Sequence, residues 1–225
     1  NCFREAVGLD PSFARAWAWL ARSLLLIYVN DAAQPAATLA GAREAVNRAY
    51  ELQPASVDAN LAQGYLAYAG EQAYNAALGC FEKARKLAPR DSQTDRERSL
   101  ISRRQGKWQG SAAYIQHSVE LNPRDSLLLT IQAGIQNELR EYPALLKTCD
   151  ALLNLAPDSE WALGEKVGAY QHMGDLASAA ALLPSKINEN DHRLFEAKIV
   201  QQISGRRSDE ALGSFKIAIQ KLETG

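Results

Sequence analysis

Three histidines (His117, His172, His192) and three cysteines (Cys2, Cys80, Cys149) are the side chains of this 225-residue chain best suited to hold a metal or attack a substrate. A zinc site needs several such groups converging at short ligand spacings, and an activated nucleophile needs a base within hydrogen-bond reach. Neither condition is met in the sequence, because no histidine lies three or four residues from a cysteine or another histidine. The Gly-x-Gly-x-x-Gly, Gly-x-Ser-x-Gly and His-Glu-x-x-His patterns are absent, and Gly106-Lys107 runs into Trp108 rather than the Ser or Thr of a phosphate loop. The expectation is therefore no catalytic residue, no metal and no cofactor: a chain that is not an enzyme, with solvated or capping histidines. Gly164-x-x-x-Gly168 offers close approach to a neighbouring helix or a ligand backbone rather than chemistry. Cys80 and Cys149 sit among apolar residues and are expected to behave as small buried hydrophobes. Reduced thiols in turn point to a cytoplasmic setting.

The totals exclude further classes. A formal net charge of −1 provides no bulk attraction to nucleic acid or to an anionic membrane. No unbroken apolar run exceeds the six residues of Leu24–Val29, far too short to span a bilayer. Asn1 is not followed by the basic, apolar and small-residue sections of a leader; the chain opens inside a predicted helix, Phe3–Leu9, which implies a piece of a longer protein.

What positions any binding residues is a repeat. A proline closes each of five matched segments, at Pro11, Pro54, Pro89, Pro123 and Pro157, separated by 43, 35, 34 and 34 residues. Ser12, Ser56, Asp91, Asp125 or Asp158 follows, a residue able to accept from the free N–H groups of a new helix after a proline that cannot continue the old one. Gly70, Gly106, Arg140-Glu141 and Gly174 fall near the midpoints, where a left-handed residue ends a helix at little steric cost. The unit is thus helix, short turn, helix, proline turn. The fold expected is all-α, a right-handed α-solenoid of antiparallel helix hairpins. The over-long step from Pro11 to Pro54, with Pro35 starting its second helix, predicts two lengthened helices over Ser12–Val29 and Pro35–Gln53.

These residues resemble the tetratricopeptide repeat. The resemblance is carried by Gly64, Tyr68, Ala77, Phe81, Ala84 and Pro89 in one unit, and by Gly106, Trp108, Ile115 and Pro123 in the next. Trp17, Leu20, Ala42, Val46 and Ala49 carry it earlier, and Ala211, Phe215 and Ala218 near the end. It implies one array over residues 1–225: a partial unit 1–11, units 12–54, 55–89, 90–123 and 124–157, and degenerate units 158–189 and 190–225. Small residues at Gly64, Ala77, Ala84 and Ala179 are expected where helices cross, with Phe81 and Trp17 filling the gaps. The string Ser102–Trp108 after Gly64–Tyr68 is similar to modules of bacterial signalling proteins.

In that family the first helix of each hairpin lines a concave groove that holds a peptide or helix of a partner protein. The resemblance places Arg22, Tyr65, Tyr68, Arg96, Leu100, Arg103 and Asn137 there as peptide-binding residues, accompanied by Arg15, Asp58, Leu61, Arg104, Thr130 and Glu138. Guanidinium forks beside tyrosines suit carboxylates, so the partner expected is a protein or peptide of acidic character. A competing reading makes Arg96, Arg98, Arg103 and Arg104 a solvated face balanced by Asp91, Asp95 and Glu97. A self-association (homo-oligomer) module of a larger bacterial signalling protein, motivated by the over-long first hairpin and the interrupted chain start, is a second functional expectation; nucleic acid and membrane are not expected partners.

Overall fold

The structure, a computed structural model, describes residues 2–31, 33, 35–184, 192–205, 210, 212 and 213. Among them every regular element is helical. The helices are α1 (Cys2–Leu9), α2 (Ala14–Asn30), α3 (Ala36–Leu52), α4 (Val57–Tyr65, continued by a π-helical turn Leu66–Gly70), α5 (Tyr74–Leu87), α6 (Ser92–Arg104), α7 (Trp108–Leu121), α8 (Ser126–Glu138), α9 (Tyr142–Leu155), α10 (Glu160–His172), α11 (Leu176–Leu182) and α12 (His192–Ser204). Two compact units divide the chain, Asn1–Leu121 and Asn122–Gly225. In the first, α2 pairs with α3, α4 with α5 and α6 with α7, and successive pairs meet where α2 touches α4 and α5 touches α6. In the second, α8 pairs with α9 and α10 with α11, while α10 also packs on α9 and α12. The segment read as a closing helix, Ser208–Glu223 with Ala211, Phe215 and Ala218, falls almost entirely outside the described residues.

Local chemistry sets most helix starts as expected. Ser56, Asp91 and Asp125 accept from the N–H groups of Ala59, Gln93 and Leu127, at 3.0, 3.1 and 2.9 Å. Two expected caps are displaced. Ser159, not Asp158, caps α10 by accepting from Ala162 N–H, and Ser12 is itself held by Asp10, leaving α2 without a side-chain cap.

The midpoint breaks also follow, with one exception. Gly106, Gly174 and Arg140 take left-handed φ values of 72°, 80° and 58°. Their turns close by bonds reaching back five residues, Lys107 N–H to Ser102 O, Asp175 N–H to Tyr170 O and Glu141 N–H to Gln136 O. At the second hairpin the left-handed residue is Gln72, not Gly70. The closing bond there spans six residues, from Ala73 N–H to Ala67 O at 2.7 Å. A π-turn holds one more residue than an α-turn, and this accounts for the single 35-residue step among 34-residue ones. Gly70 is needed for space: a Cβ there would lie 2.7 Å from Cδ1 of Leu39.

Small residues do bring the helices together. Ala42, Ala45, Val46 and Ala49 of α3 are buried against Ala18, Ala21 and Leu25 of α2. Across α4 and α5 the approach is closest at Gly64, where an added Cβ would fall 2.2 Å from Cε1 of Phe81, itself 1% exposed. Gly164 similarly admits Cβ of Arg193 from α12, whereas Gly168 faces open space. The first hairpin is over-long in its helices, not in its loop: α2 and α3 have 17 residues each, against 14 in α5 and 13 in α6.

The Gly64–Phe81 contact generates a double-substitution test. Gly64→Ala should destabilise the chain by roughly 1–3 kcal/mol through overpacking, and Phe81→Ala by about 3–5 kcal/mol through the cavity it leaves. In the Phe81→Ala background the clash is gone, so Gly64→Ala should turn neutral or stabilising, alanine being the better helix former by about 1 kcal/mol. Chemical denaturation of the four proteins measures the coupling, and additive effects would contradict the packing described.

Candidate functional site

The residues with recognition chemistry in the first unit lie on its first helices α2, α4 and α6. Arg22 of α2 is stacked between two rings, its guanidinium carbon 4.5 Å from the Trp19 centroid and 4.7 Å from that of Tyr65. With its carbonyl oxygen toward Arg22, the Gln93 amide accepts from Nη1 at 2.8 Å. Tyr65, on the last turn of α4, packs edge-on to Phe81 and accepts from Nη2 of Arg96 at 3.3 Å. Arg96 also pairs with Glu97, its Nε donating at 2.9 Å. Burial holds the Tyr65 hydroxyl well above the usual phenol range and the Glu97 charge adds to this, with Arg22 and Arg96 opposing. It therefore stays a protonated donor throughout the physiological range.

One turn further along, Arg104 Nε donates to the Tyr68 hydroxyl at 3.1 Å. Of the sequence-predicted set, Arg22, Tyr65 and Arg96 are thus brought into one cluster. Tyr68 is engaged by Arg104 rather than Arg103, and Leu100 is half-buried on the same helix as Arg96. The half-buried Arg103 side chain makes no hydrogen bond or ion pair to a described residue. Leu61, at 1% exposure, belongs to the core, and Arg15 and Asp58 pair with each other at 3.2 Å.

The acidic partners on α6 have a different role from a solvated face. Glu97 and Asp95 are 2% exposed at their side chains. Asp95 accepts from Arg98 at 2.9 Å and bonds Nδ1 of His117 at 2.6 Å, with Arg85 at 3.3 Å. Arg98 in turn lies 4.1 Å over the Tyr114 ring and pairs with Glu82. Arg98 is consequently a strut among α5, α6 and α7. Trp19, Gln93 and Glu97 are the cluster members that sequence reasoning did not select; the i, i+3 spacing of Trp19 and Arg22 was the available signal for the first.

One cavity of about 530 Å³ lies beside Trp17, Glu44 and Arg48, and another of about 330 Å³ beside Gln72, Tyr74 and Gln105, next to the Tyr68–Arg104 pair. No described group of three or more His, Cys, Asp or Glu side chains is placed to hold a metal ion, and no described helix is long and apolar enough to cross a membrane.

No family model and no curated protein matches this sequence. Solved structures do. PilF of Pseudomonas aeruginosa aligns over 94% of this chain and 93% of its own at 15% identity, with a TM-score of 0.69. YrrB, described as a TPR protein with an unusual peptide-binding site, aligns over 96% and 98% at 17% identity, TM-score 0.55. A thermophilic TPR protein of Thermus thermophilus aligns over 75% and 87% at 17% identity, TM-score 0.61. The chain has the tetratricopeptide-repeat fold.

In the second unit of this solenoid the first helices carry different chemistry. Asn137 of α8 donates to Glu165 of α10 at 3.3 Å, and Glu165 pairs with Arg193 of α12 at 2.8 Å. Asn137 is therefore committed to an internal bond, and Thr130 bonds its own helix at Ser126 O. Glu165 is 5% exposed. Burial pushes its carboxyl up from the ordinary value of 4.5; Arg193 opposes this, and Glu196 and Glu138 add to it. Behind it on α9, burial, with Glu165 and Asp150 adding, pushes the Cys149 thiol up to about 12, consistent with an inert filler.

The sign of the Glu165 shift makes a prediction. A carboxyl whose folded pKa is raised binds more protons folded than unfolded just above pH 4.5, so its contribution to stability falls as pH rises through that window. Gln at this position keeps one carbonyl acceptor for Arg193, and its amide can donate to the Asn137 carbonyl once that side chain turns over, without the buried charge. Unfolding free energy measured from pH 4.5 upward should shift progressively in favour of Glu165→Gln over the parent chain. A constant difference across that range would show that the carboxyl is not raised.

Proposed function

We propose that the chain is a non-catalytic scaffold that binds an extended or helical segment of a partner protein on the α2–α4–α6 face of its first unit. The observation carrying this reading is the cluster of Arg22, Tyr65, Arg96, Tyr68 and Arg104, with Arg103 beside it lacking an internal acceptor. Four arginines against Glu97 leave the face basic, and rigid rings supply contact area at low entropic loss. A carboxylate side chain or chain end fits the open donors of Arg103 and Arg104 by charge-assisted bonds. The peptide-binding site that the YrrB description attributes to that protein is in keeping with such a role on this fold. Placement within a larger regulatory protein remains part of the proposal and rests on the sequence resemblance alone.

Two arginines that looked equivalent in sequence separate the roles. Arg96→Ala leaves Glu97 buried without its partner and should cost on the order of 2–3 kcal/mol of stability. Arg103→Ala removes no internal bond and should leave unfolding unchanged. On an array of peptides graded in charge, the parent chain should prefer acidic and free-carboxylate peptides, with affinity falling as salt rises. Arg103→Ala should weaken that binding, by about 2–5 kcal/mol if its contact is desolvated and chiefly through on-rate if it sits at the rim. A preference for basic peptides, or binding indifferent to both Arg103→Ala and Arg104→Ala, would overturn the proposal.

A further inference from the structure

Resting on the peptide-binding reading of the α2–α4–α6 face, we propose that the bound segment carries a phosphorylated side chain, whose phosphoryl group is received by Tyr68, Arg104 and Arg103. Tyr68 and Arg104 form one donor set. Arg104 Nε donates to the Tyr68 hydroxyl oxygen at 3.1 Å, which brings guanidinium and phenol together. That bond engages Nε alone, so both Nη groups and the hydroxyl hydrogen of Tyr68 keep their capacity to donate. The Tyr68 ring is held against Tyr74, their centroids 6.0 Å apart. Arg103, half-buried on the preceding residue, carries a whole fork with no acceptor among the described residues.

The positive charge here has no internal answer. Arg103, Arg104 and Lys107 fall within five residues at the end of α6. Each of the six carboxylates from Asp58 to Glu97 is engaged elsewhere. Arg15 takes Asp58, Arg43 takes Glu71, Arg98 takes Glu82 and Asp95, and Arg96 takes Glu97, while Asp91 caps α6. A helix C-terminus presents about half a negative charge, so these cations exceed what the end of α6 needs. The last turns of α2, α3, α7, α8 and α9 do without any basic residue.

The number of unanswered charges chooses the ligand. A carboxylate neutralises one cation and offers two acceptor oxygens. A phosphomonoester carries about −1.5 to −2 charges at neutral pH and three strong acceptor oxygens. It therefore accepts from the Arg104 Nη groups, the Tyr68 O–H and the Arg103 fork together, with Lys107 adding charge nearby. Guanidinium forks also match phosphate geometry bidentately, which an ammonium does not. A nucleic-acid strand spreads its charge over many phosphates and is held along an extended basic track. The unanswered cations of α6 occupy one short stretch at its end, the footprint of a single phosphoryl group.

Matched peptide arrays test this, the same set of sequences carrying serine, glutamate or phosphoserine at the centre and probed with the 225-residue chain. Phosphoserine peptides should bind roughly tenfold or more tighter than their glutamate counterparts, the factor that one added charge-assisted bond supplies. The preference should grow between about pH 5 and about pH 7.5, across the second phosphate ionisation at about pH 6. Glutamate peptides, already ionised there, should change little. Tyr68→Phe, which keeps the ring against Tyr74, and Arg104→Ala should each bring the phosphoserine-to-glutamate ratio toward one. Glutamate bound as tightly as phosphoserine would overturn the phosphoryl site and leave the acidic-segment reading standing. Binding to neither array would overturn both. A phosphoserine preference that survives Tyr68→Phe and Arg104→Ala would place the phosphoryl group elsewhere and overturn the proposal too. So would release of the phosphopeptide by a single-stranded oligonucleotide at equal phosphate concentration, which would assign the patch to nucleic acid.

Discussion

A hairpin of this kind exists only if its two helices can come close enough to exclude water, and one pair of positions controls that distance. In the second hairpin the pair is Gly64 and Phe81, with the ring occupying the space of the missing side chain. One repeat on it is Ser99 and Ile115, and one further Ala133 and Cys149. All six are buried. Across these hairpins the residue on the second helix shrinks from Phe to Ile to Cys, while its counterpart gains side-chain atoms after Gly64. Interiors are packed to the density of organic crystals, so volume surrendered on one helix must be recovered on the other. That exchange holds from Gly64–Phe81 to Ser99–Ile115; at Ala133–Cys149 both members are smaller, and Cys149 is a buried apolar filler.

The same constraint explains how so polar a helix as α6 can stand inside the array. Ser111 and Ser118 of α7 occupy the repeat positions that Ala77 and Ala84 fill one hairpin earlier. They are as small as the packing demands, and each hydroxyl is satisfied across the interface. Ser111 and Ser99 are 2.8 Å apart, and Ser118 bonds Ser92 O at 2.5 Å. Asp95 and Glu97 follow the same rule at higher stakes, since an unpaired buried charge would cost several kcal/mol. Each is met by an arginine that also touches a ring, Arg98 on Tyr114 and Arg96 on Tyr65. The charge pattern of α6 is thus largely internal structure, and the basic face beside it is what remains after those pairs are made.

The proline period, the caps at Ser56, Asp91 and Asp125, and the close approach at Gly64 were legible in the sequence because each is a local requirement of backbone or volume. The π-turn was visible only as a single 35-residue step. Its closure, Ala73 back to Ala67, depends on Gly70 making room for Leu39 of another hairpin, a tertiary fact. The site was legible to the level of the helix face. Which arginine meets which tyrosine was not, since the extra residue rotates Tyr68 relative to α6 and hands it to Arg104. Burial of Glu97 was equally hidden, because spacing within one helix does not reveal what the neighbouring helix covers.

Equivalent positions on successive first helices differ more in charge than the packing positions differ in volume. One repeat after Arg96, Leu100, Arg103 and Arg104 stand Thr130, Gly134, Asn137 and Glu138, and one repeat later Gly164, Gly168, Gln171 and His172. Packing positions change only within the limits of volume, whereas these positions change from basic to neutral and acidic. Their internal bonds differ too: Asn137 is held by Glu165, and Gln171 donates to Ala197 O at 2.7 Å. Residues that serve only to join successive first helices would be free to remain the same from repeat to repeat. A face that carries arginine donors in one hairpin and glycines in the next two is instead differentiated along the chain. The positive charge carried by Arg96, Arg103 and Arg104 on α6 has no counterpart at the matching positions of α8, so this basic face is confined to the first unit.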